Sequence, residues 1–181
     1  MKTISDHMLD LIQNSIHARA TMIKICVVED DNQDTYILEV IDDGKGMDEL
    51  MVSHAADPFF TTRTTRKVGL GLALLKQNAL AANGVLLIKS IPGIGTKIRA
   101  AFQLSHIDRP PAGEPWDVYY LMLVANPTVR LIYDHKSRKG NFIIDSSEVK
   151  SLLNETPLKH PEIRKAIIEL IRSNLYEIRM V

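Results

Sequence analysis

The chain has a single cysteine, Cys26, among 181 residues. One thiol excludes both a disulfide framework and a cysteine-based zinc site. Neither charge is in excess: 22 lysines and arginines face 22 aspartates and glutamates, for a formal net charge of zero. That balance argues against wholesale nucleic-acid binding, which normally leaves a basic surplus. Long apolar runs are missing too. The longest, such as "LMLVA" at 121–125, fall far short of the roughly 20 residues that span a bilayer. The opening "MKTISDHMLDLIQNSIHA" has no uninterrupted apolar stretch and no small-residue cleavage site, so it does not read as a signal peptide. Internal repeats and low-complexity segments are absent. A soluble, cytoplasmic protein is expected, with neither membrane nor nucleic acid as a partner. What the chain does have is core material: 45% of residues are hydrophobic and 24% charged, a composition that folds.

Residues 4–18 place Ile4, Met8, Leu11, Ile12 and Ser15 on one helical stripe. Thr3 with Asp6 three positions later resembles a capping box. "MIKICVVE" and "TYILEVID" are two strands rich in β-branched residues, separated by the polar turn "DDNQD". A short helix follows near Asp48 to His54, and "AADPFFTTRTTRK" is a polar, basic loop. A longer helix runs from about Gly69 to "ANG", with Gly84 as its expected cap. "VLLIKSI" and "TKIRAAFQL" are two further strands, the second alternating apolar Ile98, Ala100, Phe102 and Leu104 with polar neighbours. "HIDRPPAGEP" marks a boundary. Past it come a helix over "WDVYYLMLVA", a hairpin turning near Lys139-Gly140, a short helix capped by Ser146 and a last amphipathic helix. Two units are expected, 1–107 and a C-terminal α/β extension over 108–181.

Three short patterns carry chemistry. Asp10 and Asn14, four residues apart, lie on the same side of the first helix, and hard oxygen donors of this kind suit Mg²⁺. The same pair also fits the solvent face of any amphipathic helix. In "IDDGKGMD" a carboxylate, Asp42, follows a strand, and Gly44 and Gly46 permit a sharp turn with close backbone approach. An exocyclic amine such as that of adenine could hydrogen-bond there; aspartates and glycines after strands are also ordinary turn chemistry. In "KVGLGL" two glycines precede a helix whose first amides lack partners and carry partial positive charge. Phosphate can rest on such an end if no side chain holds it away. Arg63, Arg66 and Lys67 stand just upstream, where they would meet a terminal phosphate or simply form a solvated basic loop.

In this order, and with "GIGT" after them, the patterns resemble the GHKL ATPase superfamily, which includes DNA gyrase B, Hsp90, histidine kinases and MutL. "DLIQNSIHARA" looks like the N box, "DDGKG" the G1 box, "DPFFTTR" the lid segment and "VGLGL" the G2 box. The resemblance covers roughly residues 4 to 104. It implies an α+β Bergerat fold: a two-layer sandwich of a mixed sheet with helices on one face, binding ATP with Mg²⁺. It assigns Asn14 to the metal and Asp42 to the adenine amino group. Gly44, Gly46 and Met47 would shape the adenine pocket, with Thr96 near its floor. Thr61, Thr62, Arg63, Lys67, Val68, Gly69, Leu70, Gly71 and Leu72 would surround the triphosphate, and Asp10 would be the catalytic base.

The family usually carries glutamate at the position of Asp10. Aspartate is shorter by one methylene, which sets its oxygens back by roughly 1.5 Å. A misplacement of that size costs about a hundredfold in rate, so slow hydrolysis is expected. Lys67 and Val68 replace the Gly-Thr that histidine kinases often have. None of His7, His17, His54, His106, His135 and His160 resembles a phosphoacceptor, so autophosphorylation is not expected. The resemblance implies an ATPase or a kinase acting on a separate protein; the competing reading is a non-catalytic, ATP-dependent switch or interaction module. It is also compatible with a homodimer.

Overall fold

The computed structural model describes residues 1–57, 70–153 and 156–179. Along the chain come α1 (Ile4–His17), β1 (Met22–Asp30), β2 (Thr35–Asp42), α2 (Glu49–His54), α3 (Leu70–Ala81), β3 (Val85–Ile91) and β4 (Gly95–Gln103). They are followed by α4 (Pro115–Ala125), β5 (Arg130–Ser137), β6 (Gly140–Asp145), α5 (Ser146–Leu153) and α6 (Pro161–Ile178).

Period-two alternation gives the strands a buried and an open face. In β1, Ile23, Ile25 and Val27 are buried, whereas Met22, Lys24, Cys26 and Val28 between them are only half-buried. Val40 stands opposite Ile25, and Ile98 opposite Val40, so the buried rows line up from strand to strand. The sheet has six strands in the order β3-β4-β2-β1-β5-β6. Neighbours are antiparallel except β1 and β5, which run parallel. Ile4, Met8, Leu11 and Ile12 of α1, Leu75 and Ala79 of α3, Tyr119 and Leu123 of α4, and Ile171 and Leu175 of α6 join the strands in one buried cluster. This is the expected α+β architecture, a mixed sheet with helices, consistent with the Bergerat fold.

The elements after residue 108 continue the same sheet and core. Tyr133 of β5 lies opposite Ile25 of β1, and both are buried. At the far end of these strands His135 bridges Glu29 at 3.0 Å and the Tyr133 hydroxyl at 2.9 Å, all three side chains being buried. The proline-rich stretch crosses the start of α1. There the carbonyls of Pro111 and Ala112 accept from the Ile4 and Ser5 amides at 2.9 and 3.0 Å. First-turn amides have no partner within their own helix, so this segment completes the Thr3–Asp6 capping box, which forms as expected.

Two expected caps are corrected. The left-handed residue after α3 is Asn83, at φ 53°, not Gly84. Gly84 is glycine because a Cβ there would come within 1.8 Å of the Ala101 carbonyl oxygen. At α5 the capping side chain is Asp145, which accepts from the Ser147 amide at 2.9 Å. The Ser146 hydroxyl instead accepts from the Leu131 amide at 2.8 Å inside the core.

Asp145 is also gripped by Arg130, through contacts of 3.0 and 2.6 Å, and this guanidinium, aided by Ser147, holds its carboxyl down at about 2. The native value lies below the unfolded one of about 4. The stability it lends is therefore full above about pH 4 and is lost as pH falls through about 2. Asp145→Asn is expected to cost about 1–2 kcal/mol at pH 7, a discounted figure because Arg130 is half exposed. Melting temperatures of the two proteins, followed by circular dichroism, should converge between pH 4 and pH 2. A gap as wide at pH 2 as at pH 7 would contradict this account.

Candidate nucleotide cleft

The strand register creates the floor of the cleft. Asp42, the last residue of β2, stands opposite Thr96 of β4, two residues on from the buried pair Val40 and Ile98. Period two turns both side chains toward the helix layer, and both are buried. Ser15 of α1 reaches down to Asp42, its hydroxyl donating to Oδ2 at 2.7 Å. The Gly44 amide donates to Oδ1 at 2.9 Å. An ionised carboxylate has about four acceptor sites, so a further donor such as an adenine amino group can be accommodated. The neighbouring Asp43 has a different task. It accepts from the Thr21 and Met22 amides at 2.7 and 2.8 Å, which pins the start of β1.

The turn after Asp42 is drawn tightly onto the sheet. Gly46 sits at φ 65°, and a Cβ there would lie 2.0 Å from the Ile91 carbonyl oxygen; glycine is required on both counts. Lys45 donates its amide to the Ala18 carbonyl at 2.9 Å. The Met47 amide donates to the Ser90 hydroxyl at 2.8 Å, and Ser90 lies 2.9 Å from the Thr96 hydroxyl. Sequence reading missed Ser15 and Ser90. Ser15 was visible on the α1 stripe, as a hydroxyl where an apolar residue was due.

On α1, next to Ser15, Asn14 donates its side-chain amide to Oδ2 of Asp10, one turn earlier, at 3.0 Å. The carboxylate of Asp10 abuts Gly71, where a Cβ would fall 1.9 Å from Oδ2. The glycine at the amino end of α3 thus makes room, in this structure, for the side chain assigned as base. Amide and carboxylate oxygens are hard donors of the kind Mg²⁺ takes. Among the described residues no three His, Cys, Asp or Glu side chains cluster. Mg²⁺ suits such a sparse set, since it keeps several waters and takes phosphate oxygens as its other ligands.

Of the expected residues, the structure gathers Asp10 and Asn14, Asp42 with Gly44, Gly46 and Met47, and Thr96 on the strand beside Asp42. Leu70, Gly71 and Leu72 form the first turn of α3. Thr61, Thr62, Arg63, Lys67, Val68 and Gly69 lie outside the described residues. A separate apolar groove follows the flank of α3 from Leu70 to Leu80, with Ala56 at its side and none of the cleft's carboxylates in its lining. No helix among the described residues is long and apolar enough to cross a membrane.

A mixed sheet carrying this glycine turn, with a polar helix stripe above it, defines an ATP-binding domain of the Bergerat class. Residues 3–106 match the family described as histidine kinase-, DNA gyrase B-, and HSP90-like ATPase, and the chain belongs to that family. It is 35% identical over 103 residues to a putative sensor protein of Shewanella frigidimarina, covering 56% of this chain and 16% of that protein. To the sensor protein kinase FleS of Pseudomonas aeruginosa it is 39% identical over 94 residues, covering 52% of this chain and 23% of the relative. The chain therefore spans less than a quarter of either relative. Among solved structures, the N-terminal domain of a DNA repair protein superposes with a TM-score of 0.56 at 15% identity, covering 80% of this chain and 52% of that one. That share exceeds residues 3–106, so the likeness of fold reaches into the later elements.

Asp42→Asn keeps the shape and leaves one oxygen for the Gly44 amide. It replaces the other acceptor with a donor. Nucleotide affinity measured by calorimetry is expected to fall about tenfold or more, the worth of a hydrogen bond to a charged group. Unchanged affinity would remove Asp42 from the adenine site.

Proposed function

We propose that the chain binds Mg-ATP with its adenine beside Asp42 and its phosphates at the amino end of α3. The outcome is slow hydrolysis or transfer of the terminal phosphoryl group to a separate partner protein. The observation that carries this reading is Asp42 itself: a buried carboxylate whose two fixed donors, Ser15 and Gly44, hold it at the mouth of a glycine turn. Family membership implies the ATP. The sensor kinases among its relatives support transfer as the reaction class.

Phosphoryl transfer depends on positioning and on neutralising charge. Bound magnesium supplies part of that neutralisation. The chain's own residues supply the rest: the first amides of α3 face the phosphates, and Asn14 orients Asp10 by donating to Oδ2. Asp10 is then the group that takes the proton of the attacking water or of a partner's hydroxyl or imidazole. A general base must come within hydrogen-bond reach of that proton, and the short side chain of Asp10 limits its reach.

A second reading, an ATP-dependent switch without turnover, is favoured by the contact between Asp10 and Gly71. ATP entering beside α3 would have to move one of them, and the altered surface would be read by a partner. A ligand shifts such an equilibrium only by its different affinity for the two states.

ATP labelled in the γ-phosphate separates the readings. Released phosphate indicates an ATPase, label on an added protein a kinase, and intact ATP a switch. For either enzyme Asp10→Asn should lower turnover at saturating Mg-ATP by about 10²–10⁴-fold, the usual contribution of a general base. Full turnover in that variant would dismiss Asp10 as the base.

A further inference from the structure

We infer that His7 is a positioning residue of this cleft: through a half-buried hydrogen bond to Asn78 it fixes where α3 lies against α1, and so where Gly71 meets Asp10. The inference rests on the nucleotide reading above.

α3 needs such a device. Its apolar residues surround it: Leu70 and Leu80 are exposed, Leu75 and Ala79 buried, and Leu72, Ala73 and Leu74 lie between. A helix that is apolar on every side is held to the core by burial, but burial barely chooses which side faces inward or how far the helix slides along its neighbour. A directional polar contact does choose. The Asn78 side-chain amide lies 2.8 Å from His7 Nε2, bonding the last turn of α3 to the first turn of α1.

The second point of contact is the cleft itself. His7 and Asp10 are three residues apart and share a side of α1; Gly71 and Asn78 are seven apart, two turns along one side of α3. Asn78 on His7 and Gly71 on Asp10 are thus two separate points between the same two helices. Two points fix both rotation and slide.

The histidine is kept against the interest of stability. It is 1% exposed and stands beside apolar Ile4, Met8 and Leu11 on the buried stripe. Its Nδ1 has no hydrogen-bond partner. With the Asn78 amide donating to Nε2, the ring proton is on that orphaned nitrogen, and an unsatisfied buried polar group destabilises a fold. A leucine would bury there with no such loss. Burial, with a smaller effect from the amino terminus, holds His7 below its ordinary pKa despite Asp6 and Asp10 nearby. The neutral ring that Asn78 requires is therefore the form present at pH 7.

The test uses the full chain with His7→Leu, His7→Gln, Asn78→Leu and the double variant His7→Leu/Asn78→Leu. In His7→Leu the melting temperature should hold or rise while ATP binds about tenfold more weakly, the scale of one lost hydrogen bond. Amides in the first described turn of α3 should exchange with deuterium several times faster in the nucleotide-free protein. His7→Gln, which can still bond Asn78, should restore both properties. Asn78→Leu should match His7→Leu, and the double variant should lose nothing more. The inference is overturned if His7→Leu keeps wild-type exchange in α3, or if its stability and affinity fall together with no rescue by glutamine. If the wild-type protein binds no ATP, the nucleotide reading fails, and the exchange data alone decide whether His7 positions α3.

Discussion

The structure turns on a carboxylate kept in a place where carboxylates are costly. Asp42 sits at the end of an interior strand, under a helix, and it is tolerated because a hydroxyl and a backbone amide are already aimed at it. Those two partners come from different directions. Ser15 descends from α1, and the Gly44 amide turns back from the loop that follows β2, so one side chain ties helix, strand and turn together. The register of β2 with β4 then sets Thr96 beside it, and Ser90 and Met47 follow through shared hydroxyls. Each of these contacts would be misplaced by a one-residue slip in the sheet, which would turn Asp42 to the open face.

α1 joins the two ends of the cleft. Ser15 bonds Asp42 on the floor and Asp10 abuts Gly71 at the amino end of α3, and Asn14 lies between them. One straight helix therefore fixes the spacing between the floor and the amino end of α3. This spacing depends on α3 keeping its place, and α3 is the helix whose own side chains specify that place least.

Most of the architecture was legible because it rests on local periodicity. The strands alternate as their sequences do, Thr3 and Asp6 form their box, and Asp10 and Asn14 meet as four-residue spacing requires. The misreadings have a common cause. Gly84 looked like a helix cap because glycine so often is one, but the position is decided by a carbonyl of β4, far away in sequence. Ser146 looked like a cap because it precedes a helix, yet its hydroxyl is claimed by Leu131 and the capping falls to Asp145. Ser15 and Ser90 were passed over for the same reason: their roles depend on a partner that only the folded chain brings near. The break in composition at the paired prolines was real, but in the fold this stretch is bonded to α1.

β1 lies inside the sheet, with one edge paired to β2 across a tight turn and the other to β5, which the chain reaches only after α2, α3, β3, β4 and α4 have been made. A ribosome would therefore release β1, β2 and the glycine turn long before the strand that covers the remaining edge. Until then a row of backbone amides and carbonyls stands open to any extended chain nearby. The order of synthesis makes this edge the place where a nascent copy is most exposed to mispairing.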